Sequence, residues 1–539
     1  MIDDQLFEAY LSELEAMRTH GRNFAERFPE VAARLDIGPR ESRDAHVERV
    51  VESSAFLSAR LRRMVAEDAT ELPLAALAVI APALVEPVPS MAIMRLAGGD
   101  EEETAPARSR FDATLGGAPV CFSTATPVTA SPLALRVSRI DPGPGYADGV
   151  AVHLDRGAAP EPWLLYLGAD QRTGAQLMDA IDESLERVEV THIDGTRTAL
   201  PRTAVRIEGF ADADAMLPRR PATHDAHRLL TEFLVFPERF RFVSIHGAGI
   251  AAGSELRLLF RVPLSLPRPL PPDLVSANCV PVVNYWSTNG APIEVTGREL
   301  EYPVKVDTLR YRTVECHSVE AVDIYYSEST RPQRIDPLIA LGRINETALR
   351  WGMRRQVARF GGEVRLYFQG LDYSELGRSR ILAIPRLLAN NRDLAQHVRS
   401  GQSLIPVDGL GSWRGVVQVA PSQYRLPMSG ERTMRTLIGY LQSSMVGLTR
   451  EGRRGAFRHF LKSFPGGDQA SWIDGIGPAS FEPVTALRGG SPEAGVAVAV
   501  AYDSASHPVT SRAIVRRVLA RLLESQRGLN RVEELRLNA

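Results

Sequence analysis

Phe7, Tyr10, Leu14, Met17, Gly21, Phe24 and Phe28 recur at alternating steps of three and four residues, with Asp4, Glu8, Ser12, Glu15 and Arg22 between them. That spacing puts the first set on one face of an amphipathic helix, which Pro29 ends or kinks. A second helix is predicted after Asp44, where Val47, Val50, Ser54, Leu57, Leu61 and Met64 keep the same spacing. Two such stripes form either the core of a helical hairpin or one side of a bundle shared with another chain.

From Met91 the pattern changes to short runs of period two, separated by Gly, Pro, Asp and Thr. Strands are predicted at 118–122, 134–137, 150–154 and 163–167, with a helix at 174–185. A second group of strands covers 239–245, 255–262, 280–285 and 319–325. The remainder mixes strands at 363–368 and 496–502 with helices at 434–448 and 511–527. The fold class is therefore α+β and multidomain. Its expected parts are a helical region at 1–90, a β-rich domain at 91–220, a second one at 221–330 and a mixed α/β region at 331–539.

A length of 539 residues supports several domains, and 44% hydrophobic with 24% charged residues describes an ordinary globular composition. A net charge of -2 gives no overall pull toward nucleic acid or an anionic membrane. The basic residues are Arg apart from Lys305 and Lys462. Cys121, Cys279 and Cys316 are far apart and form no Cys-x-x-Cys pair, which argues against a disulfide framework and for a reducing compartment. The acidic start is unlike a signal peptide, and the apolar run at 72–85 is broken by Pro73 and Pro82 and is too short to span a bilayer. A cytoplasmic protein without direct membrane insertion is expected.

Two patterns imitate catalytic sites. The glycines at 247, 249 and 253 follow a predicted strand, as in a dinucleotide-binding turn, but Leu256, Leu258, Phe260 and Val262 then alternate as a strand where a pyrophosphate site needs a helix N-terminus. His224 and His227 flank Asp225 and offer zinc-type ligands, the basis of an alternative reading as a metal-dependent hydrolase. No third His or Cys stands at a suitable spacing, so a polar cap before a helix is the better account. No catalytic residue, cofactor or metal is expected.

The segment Asp44-Ala45-His46-Val47-Glu48-Arg49-Val50-Val51-Glu52-Ser53-Ser54-Ala55-Phe56-Leu57 resembles the "DPhVErLlEGfAFL" signature of the type VI secretion TssF family, also called ImpG or VasA. Pro89, Ser90 and Met91 resemble its "PiPSMai". Leu229, Leu230, Glu232, Phe236, Pro237, Glu238 and Phe240 resemble "YRLLqEYFaFPEKFlFf", with His227 in place of Tyr. Pro281 and Asn284 resemble "tPvvNLFe", and Asn391, Arg392 and Asp393 resemble "ctNRDLp". The likeness is strongest from 1 to about 325 and thin after 400.

The resemblance implies a structural baseplate wedge component of a contractile injection machine, docked at the inner membrane complex. Two such chains would join one TssG-like subunit, and the wedge would meet a TssK-like adaptor, a TssE-like sheath initiator and the spike hub, with no nucleic acid involved. A phage or extracellular contractile-injection baseplate protein is the related alternative. Phe7, Tyr10, Leu14 and Met17 would form the partner interface, and the aromatic residues of 228–242 a core at a domain junction. Segments near Pro87, near Pro218 and at 267–272 are expected to serve as flexible joints.

Overall fold

The computed structural model describes residues 4–35, 45–81, 84–168, 170–220, 225–327, 331–338, 349–358, 361–370, 380–407, 409–428, 433–434, 436–438, 455–488, 491–525 and 531–538. The chain divides into two units, 1–77 with 429–437, and 78–428 with 438–539.

The first unit is helical: α1 (Asp4–Arg27), α2 (Pro29–Arg34) and α3 (Ala45–Ile80). Pro29 stops the first helix and opens the second, because a proline lacks the N–H that a helix interior needs but a first turn does not. Arg18 pairs with Glu48, Glu13 with Arg62, and Tyr10 meets Phe56 edge-on at 6.5 Å, so α1 and the first half of α3 run antiparallel. The expected helix at 434–448 lies largely outside the described residues.

The second unit is built of sheets. A closed six-stranded barrel joins Met91–Ala97, Cys279–Val283, Ala118–Thr124, Arg110–Leu115, Ser403–Pro406 and Arg414–Val419 in that order. Its strands come from both sides of positions 220 and 330, so the barrel crosses the expected linear boundaries. Alternation along the first strand has a direct consequence. Ala92, Met94 and Leu96 fill the barrel with Phe111, Phe122, Val280 and Trp413, whereas Met91 and Ile93 face a second core with Tyr166, Phe236 and Tyr285.

Around the barrel lie a five-stranded sheet centred on Glu255–Phe260, a four-stranded sheet containing Trp163–Leu167 and Phe242–Ile245, and an eight-stranded sheet centred on Glu315–Tyr326 and Ile381–Asn390. Helix α4 (Gln171–Glu183) is N-capped by Asp170. Helix α5 (Asp225–Val235) is buried on all sides from Ala226 to Val235, as a core helix must be if it carries few polar faces. Near the C-terminus come α6 (Ala456–Ser463) and a three-stranded sheet of Ile476–Arg488, Ser491–Tyr502 and Arg531–Asn538. The last two strands are parallel and joined by α7 (Arg512–Ser525).

The strand predicted at 239–245 is shorter than expected. A 3-10 turn occupies Pro237–Phe240 and the strand is Phe242–Ile245. The turn brings Arg239 inward to a buried carboxylate, a long-range demand invisible in local periodicity.

Candidate functional site

On α3 the two faces have opposite fates. Ala55 and Ala59 are fully buried, while Val50, Leu57 (57% exposed), Leu61 (60% exposed) and Met64 lie open on the other face. The small residues allow close approach at the inner seam, and the large apolar residues remain in water. This is the reverse of the core reading of that stripe. On α1, Leu14 is buried at 9%, Phe7 is about half exposed, and Tyr10 and Met17 are half-buried. The four residues therefore do not form one uniformly open strip. Leu11, beside them, is open as well. So large a run of exposed apolar side chains is a candidate interaction surface.

The motif at 228–242 is a buried ionic clasp within aromatic packing. Glu232 is wholly buried, and its Oε1 accepts from the amides of Met216 (3.1 Å) and Leu217 (2.9 Å) and from Arg228 Nη1 (3.1 Å). Its other oxygen pairs with Arg239, which also donates to the Gly209 carbonyl. Burial, reinforced by Arg228, lowers the Arg239 guanidinium to about 9, which leaves it cationic at neutral pH. One carboxylate thus ties helix α5, the 3-10 turn and the 216–217 segment together. Around it Phe233 meets Phe240 at 5.6 Å and Trp472 at 5.2 Å, and His227 lies 5.4 Å from Phe464. Leu229 and Leu230 are buried, and Glu238 accepts from Gln171 (2.7 Å).

Three other motif segments meet at a second node. Asn284 Nδ2 donates to the Cys121 carbonyl (2.6 Å) and to Asn391 Oδ1 (2.9 Å), and the Asn391 amide donates back to Asn284 Oδ1 (2.8 Å). Asn391 Oδ1 also accepts from the Cys121 amide (2.9 Å), and the Asn284 amide donates to the Ser90 carbonyl (2.8 Å). Arg392 adopts a left-handed φ of 53°, and its amide donates to Asn390 Oδ1 (2.7 Å). Ser90, Asn284 and Asn391 are far apart in the chain, yet the Ser90 carbonyl, the Asn284 amide and both asparagine side chains are hydrogen-bonded together in a dry site.

The glycine-rich imitation of a nucleotide site does not assemble. The stretch 247–253 is a loop between two strands, with Glu255–Phe260 following where a helix would be needed. His227 is buried against an aromatic ring, His224 lies outside the described residues, and no group of three metal-ligating side chains occurs among the described residues. All three cysteines are buried and unpaired. Among the described residues no helix is long and apolar enough to cross a membrane.

The family described as "Type VI secretion system, TssF" matches residues 2–539. The chain belongs to the TssF family. Among TssF proteins, the type VI secretion system component TssF1 of Pseudomonas aeruginosa is 28% identical over 374 residues, 61% of this chain. That match spans 59% of the relative's own length. The fold is shared with a chain of the TssK-TssF-TssG baseplate subcomplex solved by cryo-electron microscopy, with a TM-score of 0.72 and 19% identity over 91% of this chain and 95% of that one. A chain of the type VI baseplate complex matches with a TM-score of 0.59 and 19% identity, over 92% and 89% of the two chains.

The TssF motif residues divide by burial. Pro89, Ser90, Met91, Leu229, Leu230, Glu232, Phe236, Glu238, Phe240, Pro281, Asn284, Asn391 and Arg392 are inside; Val47, Glu48 and Pro237 are half-buried; Glu52, Phe56, Leu57 and Asp393 are exposed. Sequence reasoning missed Arg228 and Arg239 as partners of Glu232. The available signal was an Arg and a Glu four residues apart on a helix otherwise apolar enough to be core.

Proposed function

We propose that this chain is a structural component of a type VI secretion baseplate, acting by holding and transmitting position rather than by catalysis. Two copies join one TssG-like subunit, and the wedge so formed contacts a TssK-like adaptor, a TssE-like sheath initiator and the spike hub on the cytoplasmic side of the inner membrane complex. The observation that carries the reading is the open apolar face of α3, Val50, Leu57, Leu61 and Met64, together with the exposed Phe7 and Leu11 of α1. An apolar stripe at helical spacing, left in water by its own chain, is suited to burial in an intermolecular helical bundle. The partner class is taken from the TssK-TssF-TssG subcomplex, one chain of which shares this fold.

The test is a Leu57→Asp, Leu61→Asp variant. Both side chains are exposed, so helicity by circular dichroism should match wild type, while capture of a co-expressed TssG-like subunit should fail because a desolvated charge opposes association. Normal capture by the folded variant would overturn the interface. Leu14→Asp would not separate the two roles, because Leu14 is buried in its own chain.

A further inference from the structure

The stretch 84–91, which leads from the end of α3 to the first barrel strand, holds Pro87, near which a flexible joint is expected, and Pro89. The structure places it inside. Leu84, Glu86, Pro87, Val88, Pro89, Ser90 and Met91 are all buried. An extended segment in a dry interior needs partners from elsewhere for its polar groups, and Glu86, Val88, Ser90 and Met91 find them, although the buried Ser90 Oγ has none. Glu86 Oε1 accepts from Arg220 Nε (2.9 Å). The His317 ring lies near the Pro87 carbonyl. Val88 exchanges both backbone hydrogen bonds with Arg425, each 3.0 Å. The Ser90 carbonyl accepts from Asn284, and Met91 is held on both sides by Ser422, through its hydroxyl (3.0 Å) and its amide (2.8 Å). Pro87 and Pro89 bring no N–H, so they leave no donor to be matched.

We propose that 84–91 is a charge-locked strap, the fixed anchor through which displacement or tension on the preceding chain reaches the body of the second unit. Arg220 is its positioning residue. Besides Glu86, Arg220 Nη1 donates to Glu320 (3.0 Å) on the long strand Glu315–Tyr326. His317, whose ring lies near the Pro87 carbonyl, is on that same strand. On the other side, Arg425 Nη2 donates to Gln469 (2.7 Å), connecting the strap to the C-terminal region. A carboxylate as deeply buried as Glu86 adds little to stability over an apolar side chain of the same volume, but it admits one alignment of the strap, the one that presents it to Arg220.

Hydrogen exchange on the full chain tests the strap, with the amides of Val88 and Met91 as reporters and those of Leu256 and Leu258 in the five-stranded sheet as internal controls. In Arg220→Met the reporters should exchange about tenfold faster or more while the controls keep their rates, since only a local opening becomes easier. Replacing both charges, Glu86→Met with Arg220→Met, should bring the reporters back to within about threefold of wild type, because no uncompensated buried charge remains. If Arg220→Met does not fold, Glu86→Gln, which keeps the volume and removes the charge, is read in its place. Unchanged reporters, equal acceleration of reporters and controls, or failure of the double variant to restore protection would each overturn the strap. The readout needs no partner protein, so its failure would leave the baseplate reading untouched.

Discussion

Asn284 and Asn391, 107 positions apart, exchange hydrogen bonds in a fully buried site: Asn284 Nδ2 donates to Asn391 Oδ1, and the Asn391 amide donates to Asn284 Oδ1. The pair fixes the end of the barrel strand Cys279–Val283 against the end of Ile381–Asn390, a strand of the eight-stranded sheet. Removing one member strands the other. Asn284→Ala would leave the Asn391 amide and the Cys121 carbonyl without these partners, at about 1–3 kcal/mol for each buried group. A fall in the urea midpoint equivalent to about 3 kcal/mol is expected, against less than about 0.5 kcal/mol for Asp393→Ala, an exposed residue of the same motif segment. Equal effects of the two substitutions would show that the node carries no special weight.

Phe236 and Phe56 are both motif phenylalanines, and burial separates what they do. Phe236 is 3% exposed in the core shared with Met91, Tyr166 and Tyr285, whereas Phe56 is 42% exposed on α3. Phe236→Ala should destabilise the chain by about 3–5 kcal/mol, the cost of emptying a buried aromatic site. Phe56→Ala, which loses the edge-on contact with Tyr10, should lower the thermal midpoint much less than Phe236→Ala and weaken capture of the TssG-like partner. Scanning calorimetry with pull-down on the same preparations reads both, and a stable Phe236→Ala that loses its partner would reassign Phe236 to the interface.

His317 makes the stability of the folded chain depend on pH. Burial, with the nearby Arg220 and Arg355 cations, holds its imidazole well below the ordinary 6.5, so the folded ring stays neutral. The unfolded chain takes up a proton as pH falls through 6.5 while the folded chain does not, so stability is full above that value and declines below it. The decline can reach about 1.4 kcal/mol per pH unit from this group. Thermal midpoints of wild type and His317→Gln, taken from about pH 8 to about pH 5, should fall more steeply for wild type on the acid side. Parallel curves would show that His317 does not titrate on unfolding.

Local pattern determined part of the secondary structure, because helical and strand periodicities are properties of a few consecutive residues. It showed the two N-terminal helices, the strands at 150–154 and 163–167, and the strand after Gly253 that disqualified a nucleotide site. The motif segments were visible in the same way, as runs of residue types in order. Tertiary structure decided which face of each element is covered. Periodicity defines a face without saying what lies against it, and the stripe of Val50, Leu57, Leu61 and Met64, which reads as core, proves to be open because Ala55 and Ala59 line the inner seam instead. The barrel closes with strands from 91–97, 279–283 and 403–419, and pairing over such separations leaves no local signal. The same holds for Glu232 with Arg239 and for Glu86 with Arg220: a charge looks solvated in sequence, and only the fold reveals that its partner waits in a dry interior. The prolines of 84–91 carry the same lesson, since residues that suggest a hinge in one dimension lie clamped in three.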